Sequence, residues 1–383
     1  MTTTAPPAVD QRTPVGWGRR LLRRPVLVAL VAAVVGIVAT PLGLALGVRY
    51  ATKSGATATS VAGLLLLAVG LTLLGFATVV GWRTLHRWWR LALLPVAVVA
   101  LVFIWSLAMG AMLSLAPRAA LGGATPAARG LTYADVSFRT SDGAVLSAWL
   151  IPSRNSAAIV TVPGSGSTRT ATLDQAAVLA GHGYGVLMID PRGQGRSGGH
   201  AMDAGWYGER DITAAVTFLQ HQPGVDPDRI GVLGLSMGGE AAIGAAAADP
   251  AVRAVVAEGA THRAAADKAG YLPGGVLGAI QRGIDKLTYG IADLLTSAPA
   301  PGTLHSAIAR AHGTPFLLIA GGKVGDEPEA VAYLRSAAPE RVQTWTVPGA
   351  SHTHALATAP AQWTARVTAF FARALGLHHH VMD

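Results

Sequence analysis

Ser236 lies in the run Gly234-Leu235-Ser236-Met237-Gly238-Gly239, directly after the apolar residues 230–233. A serine between small neighbours, ending an apolar run and opening a helical pattern, suits a sharp strand-to-helix turn. On such a turn the hydroxyl projects from the sheet. Gly234 and Gly238 leave room around it, and a helix opening at Met237 aims free N–H groups at the same spot. A lone hydroxyl is a weak nucleophile and needs a base that is itself oriented by an acid. His352, in Pro348-Gly349-Ala350-Ser351-His352, is the candidate base; His354 reads as an exposed loop histidine. Three carboxylates are candidates for the acid. Asp326 and the adjacent Glu327 follow the apolar run 316–320, with Asp326 preferred as the shorter and more usual type. Glu258 follows the run 254–257. Acyl transfer through an oxyanion also needs two donors. The Met237 backbone N–H is one, and the Ser165 N–H, in Pro163-Gly164-Ser165-Gly166-Ser167, is the other.

These residues need a scaffold, and the back two-thirds of the chain has the texture of one. Residues 136–139 and 145–150 alternate like half-buried strands across the turn Ser141-Asp142-Gly143. Short apolar runs follow at 158–162, 185–189, 230–234, 254–257, 316–320 and 342–347, with helical patterns between them at 172–181, 211–220 and 239–248. Strands alternating with helices indicate a mostly parallel sheet covered on both faces, here with an antiparallel edge. Residues 261–314 break the rhythm and read as an inserted helical cap whose apolar faces cover a substrate, lie on a membrane surface, or simply join the core.

Gly193-Gln194-Gly195-Arg196-Ser197-Gly198 matches a dinucleotide fingerprint, but that fingerprint opens a helix at once and needs an acid at a strand end roughly 20 residues on. A loop follows here instead. Asp190-Pro191-Arg192-Gly193 therefore reads as a structural turn in which Asp190 and Arg192 bond backbone groups that hold the oxyanion loop. Arg169 either binds a substrate carboxylate or caps the next helix.

The front third has another character. Hydrophobic residues make up 51% of the chain and charged residues 13%, against about 25% charge in an ordinary soluble domain. Residues 26–48, 57–82 and 91–115 are long uncharged runs, each at or above the ~20 residues that cross a bilayer. Arg12, Arg19, Arg20, Arg23 and Arg24 precede the first run, and Arg83, Arg87 and Arg90 lie between the second and third. Only Arg49 and Lys53 lie between the first two. The positive-inside rule then places the N-terminus in the cytoplasm and, after three crossings, the remainder outside. This reading assigns the net charge of +9 to topology and not to nucleic acid. It divides the chain into a basic segment (1–25), a three-helix membrane region (26–115), a linker (116–132), a globular domain (133–376) and a tail (377–383). With no cysteine, disulfides, thiol nucleophiles and Cys-ligated metals are excluded. The histidines at 378–380 read as a solvated tail, and nothing in the sequence calls for a metal or a cofactor.

In order and spacing, Asp190-Pro191-Arg192-Gly193-Gln194-Gly195-Arg196-Ser197-Gly198, the Ser236 motif and the Pro348 to His352 loop resemble the α/β-hydrolase superfamily, and within it the serine aminopeptidase and dipeptidyl-peptidase-like branch. The resemblance spans residues 133–375. It implies an α/β-hydrolase fold, Ser236 as nucleophile, His352 as base and Asp326 or Glu327 as acid. Two positions depart from the pattern: Pro163-Gly164 stands where the family has His-Gly, and the acid loop is longer. The expected function is a membrane-anchored serine hydrolase that cleaves an ester, thioester or amide of a small acyl or peptide substrate. The alternative is a non-catalytic membrane-anchored scaffold.

Overall fold

The computed structural model describes residues 17–200, 203–311 and 313–377. The expectations placed on Arg12, on the side chains of Arg19, Arg20, Arg23 and Arg24, and on the histidines at 378–380 lie outside what it describes.

The apolar front third is helical. Helix α1 (Trp17–Gly43) runs through a π-helical turn (Leu44–Val48) into α2 (Arg49–Ser54); α3 (Ala58–Thr84) and α4 (Leu93–Ser114) follow. Three stretches, Pro25–Ser54, Ala58–Thr84 and Trp89–Ser114, are long and apolar enough to cross a membrane. Helix α3 begins where Thr57 and Ser60 cap each other reciprocally, which satisfies N–H groups that have no partner within the helix. Helices α1 and α3 meet through small residues. A Cβ built on Gly63 would lie 2.2 Å from the Gly47 nitrogen, and one on Gly43 would lie 2.5 Å from the Leu67 nitrogen. Backbones this close are how helices associate where the surroundings are as apolar as their side chains. The outer faces carry exposed valine and leucine, among them Leu27, Leu65 and Leu101.

The rest is one eight-stranded sheet of order β1-β2-β4-β3-β5-β6-β7-β8. Its strands are β1 (Ala134–Arg139), β2 (Val145–Ile151), β3 (Ala158–Val162), β4 (Gly185–Ile189), β5 (Ile230–Leu235), β6 (Ala254–Glu258), β7 (Phe316–Gly321) and β8 (Val342–Val347). Strand β2 runs antiparallel to β1 and β4, and the other pairings are parallel. Buried on both faces, β3 to β7 are apolar apart from Thr161 and the terminal Glu258, as central parallel strands must be. Helices α5 (Leu173–Gly181) and α13 (Pro360–Ala374), with the short α12 (Ala355–Thr358) beside α13, cover one face. Helices α6 (Gly208–Gln220) and α7 (Met237–Ala248) cover the other, and Leu304, Ala307, Ile308, Val331 and Leu334 join their core. The fold is that of an α/β hydrolase.

Between β6 and β7 the chain forms α8 (Ala265–Tyr271), α9 (Gly275–Leu295) and α10 (Leu304–Arg310); α11 (Glu327–Arg335) follows β7. Leu304, Ala307 and Ile308 of α10 are fully buried in the same cluster as α7, so this helix belongs to the core and not to a cover over the site. Residues after α4 are strapped to the globular part. Arg118 donates to the carbonyls of Gly195, Ser197 and Gly199, and the Ala119 N–H donates to Gln194 Oε1.

Candidate active site

Strand β5 ends at Leu235, and α7 begins at Met237. Ser236 between them takes φ 53° and ψ −125°, a region that non-glycine residues rarely occupy. Such strain persists only where surrounding structure enforces it. The Ser236 N–H donates to the Glu258 carbonyl at 2.7 Å. The turn also leaves no room for larger flanking residues. A Cβ on Gly234 would lie 2.2 Å from the Gly238 carbonyl oxygen, and one on Gly238 would lie 2.5 Å from that of Val162.

His352 arrives on the loop after β8. Its Nε2 is 2.8 Å from Ser236 Oγ, and its Nδ1 is 2.5 Å from Glu327 Oε1. The carboxylate can only accept, so Nδ1 carries the hydrogen and Nε2 is left to accept from the serine hydroxyl. Glu327 opens α11, and its other oxygen accepts the Gly321 N–H at 2.6 Å. Its side chain is buried while that of His352 is 48% exposed, so the relay is anchored from beneath and open to a substrate above. The bond to Glu327 is the main influence raising the His352 pKa above its ordinary value, with burial working against it.

The preference for Asp326 is therefore corrected: of the two adjacent carboxylates, Glu327 bonds His352. Asp326 occupies the position before the first turn of α11, with no bond from its side chain to that helix end. Neighbouring residues at a helix start point in directions about 100° apart, so only one can turn under β7. Glu258 is occupied elsewhere. It accepts the Ala355 N–H at 2.8 Å and the Trp363 indole N–H at 3.1 Å, and burial raises its pKa. His354 lies on the same loop, its Nδ1 2.6 Å from the His352 carbonyl oxygen.

The loop after β3 passes directly over the serine, where a Cβ on Gly164 would lie 3.2 Å from the Ser236 Cβ. Neither the Met237 N–H nor the Ser165 N–H finds an acceptor among the described residues. Asp190 holds this region as expected, accepting the Arg169 and Arg196 N–H groups at 2.9 Å each. Among the described residues the Arg192 side chain bonds no backbone group; it pairs with Asp142 and Asp211. Arg169 is fully buried beside Asp190 and over the Trp149 ring, out of reach of any substrate.

Sequence reasoning could name Glu240 but not place it. It lies one turn after Ser236 on α7, and its carboxylate faces the N–H groups of Thr261 and His262 at 3.5 and 3.3 Å. Burial pushes its pKa up to about 7. Burial likewise pushes His262 down to about 4; its Nδ1 is 2.7 Å from Thr261 Oγ1 and 3.2 Å from the Tyr271 hydroxyl. The four-residue spacing from Ser236 was the available signal.

Comparison with known proteins bears on the family and the fold. Residues 128–368 match a family model described as X-Pro dipeptidyl-peptidase (S15 family). A Mycobacterium tuberculosis protein described only as uncharacterized is 30% identical over 68% of this chain and 88% of its own length. A thiohydrolase of Aspergillus aculeatus is 39% identical over 33% of this chain; the matched part is 41% of that protein, so the chain spans less than half of it. An esterase of Pyrococcus furiosus superposes with a TM-score of 0.54 at 25% identity, over 69% of this chain and 98% of the esterase.

Proposed function

The chain belongs to the X-Pro dipeptidyl-peptidase (S15) family of α/β hydrolases, and from that premise we propose that it is a membrane-anchored serine hydrolase acting through Ser236, His352 and Glu327. The observation that carries this reading is the continuous relay from Ser236 Oγ through His352 to a buried carboxylate. His352 Nε2 takes the hydroxyl proton as Oγ attacks the carbonyl carbon of an ester, thioester or amide. The oxygen of the tetrahedral intermediate then accepts hydrogen bonds from the N–H groups of Met237 and Ser165. Protonated His352 returns its proton to the leaving group, which departs and leaves an acyl group on Ser236. Water activated by the same imidazole releases the acid and restores the serine. Glu327 fixes the tautomer and stabilises the imidazolium throughout.

The three apolar helices serve as the anchor. With arginines weighted towards the segment before the first helix and the connection between the second and third, the N-terminus is cytoplasmic and the catalytic part lies outside. Both points are tested by treating intact and lysed cells with a membrane-impermeant fluorophosphonate, comparing wild type with Ser236→Ala. Labelling of intact wild-type cells that is lost in the variant is expected. Labelling only after lysis reverses the topology. Folded protein that takes no label in either preparation removes the catalytic reading in favour of a scaffold.

A further inference from the structure

Helix α9 buries a charge and exposes apolar surface. Asp285 is buried and pairs with Lys268 of α8 at 2.9 Å, and Gln281 donates to the same carboxylate, while Lys286 and Asp293 are exposed along one flank. Its outward side reads Val276, Ile280, Gly283, Leu287, Gly290 and Leu294, an uncharged stripe at helical spacing along its whole length. Leu277 and Leu294 are 82% and 83% exposed. In water such a face is costly, whereas in hydrocarbon it is the ordinary arrangement.

Through its other face, α9 packs against α4 of the apolar front third. A Cβ on Gly110 of α4 would lie 2.7 Å from Ile291 Cγ2 and 3.1 Å from the Thr288 carbonyl oxygen, so the glycine lets the two helices touch. One turn further on, Ser114 Oγ donates to the Ala292 carbonyl at 3.2 Å. The paired numbers rise together, so the helices run in the same direction. The N-terminal half of α9 therefore leads back beside the exposed apolar part of α4. From Thr288 to Leu277 is about 16 Å at 1.5 Å per residue, comparable to one leaflet's share of a ~30 Å hydrocarbon core. The other end of this contact reaches the active site. Leu113 of α4 and Tyr289 of α9 pack with Ala204 and Trp206, and Gly205 between those two abuts Met237, the residue after Ser236. On the same side, Arg49 reaches the loop after β3, with its Nη2 3.9 Å from a Cβ built on Gly166.

We propose that α9 is immersed in the leaflet in which α4 ends, and that Ser236 acts on the acyl group of a bilayer amphiphile that reaches it along α9. This rests on the hydrolase and membrane readings above. The chain has no cysteine, so Leu277→Cys and Ile280→Cys each take a single fluorophore in the full-length protein in phosphatidylcholine–phosphatidylglycerol vesicles. Glu340→Cys, on the exposed turn before β8, is the reference. Quenching of the 277 and 280 labels by brominated lipid and not by iodide, with the reverse at 340, is expected. Iodide quenching at 277 and 280 equal to that at 340 overturns the inference while leaving fluorophosphonate labelling, and hence the hydrolase reading, intact. In the same vesicles, the turnover of p-nitrophenyl palmitate relative to p-nitrophenyl acetate should fall at least about tenfold in Leu277→Asp/Ile280→Asp, since every 1.4 kcal/mol is a factor of ten. An unchanged ratio overturns the substrate assignment. Lipid-quenched labels with turnover of neither ester overturn the hydrolase reading and the substrate assignment with it.

Discussion

Replacing Glu327 by glutamine keeps size and shape while changing what the side chain can donate. In the wild type, Oε1 accepts from His352 Nδ1 at 2.5 Å and Oε2 accepts the Gly321 N–H at 2.6 Å. The Gly321 N–H requires an oxygen opposite it, so the glutamine amide nitrogen must face His352. Nδ1 then becomes the acceptor, the hydrogen moves to Nε2, and Nε2 can no longer receive the Ser236 proton. In a serine protease, changing the triad aspartate to asparagine costs about 10⁴ in kcat through this same tautomer error. At 1.36 kcal/mol per decade this is roughly 5 kcal/mol of barrier, and a loss of about 10³ to 10⁴ in kcat/KM is expected for Glu327→Gln. Asp326→Asn, one residue away but outside the relay, should stay within about twofold. The assay is turnover of p-nitrophenyl acetate from pH 5 to 9, with fluorophosphonate titration of active sites to normalise the rate. The sign of the pH effect is fixed. Glu327 raises the His352 pKa, and the neutral imidazole is the active form. Wild-type activity therefore falls as pH drops through a value raised above that of an ordinary histidine, and residual activity in Glu327→Gln should fall at a lower pH. A large loss in Asp326→Asn with little in Glu327→Gln would refute this account of the acid.

Gly234→Ala places a methyl group 2.2 Å from the Gly238 carbonyl oxygen; because the obstacle is the Gly238–Gly239 backbone and not a movable side chain, destabilisation should exceed about 3 kcal/mol, read as loss of folded protein in a thermal melt. Glu240→Gln should alter the pH dependence of stability. With its folded pKa near 7, raised from 4.5, the native state holds this proton more tightly than the unfolded chain. Its contribution is complete below pH 4.5 and is lost as pH rises through 7, worth at most about 3 kcal/mol at 1.36 kcal/mol per unit. The variant should therefore melt higher than wild type at pH 8 and equally at pH 5. An equal difference at both pH values would contradict this.

Much of the scaffold could be read from the sequence because its signals are local. Strands β3 to β7 are almost wholly apolar, since each is buried on both faces, and the three apolar helices exceed any core element in length. Ser236 was legible because its turn demands small residues at fixed offsets, and His352 because it follows the last strand on a glycine-bearing loop. The choice between Asp326 and Glu327 was not legible. It depends on which residue starts α11 and on an N–H of Gly321 at the end of β7. Glu258 likewise could not be judged until Trp363, 105 residues away in sequence, was seen to hold it.

The sequence by itself determined which segments are apolar, which alternate, and where a nucleophile can be exposed, since these depend on neighbours along the chain. Tertiary structure decided which carboxylate meets the histidine and which side of α9 faces outward. Periodicity shows that a helix has two unlike faces, but only the position of Lys268 beside Asp285 and of Gly110 beside Ile291 shows which face the protein keeps for itself.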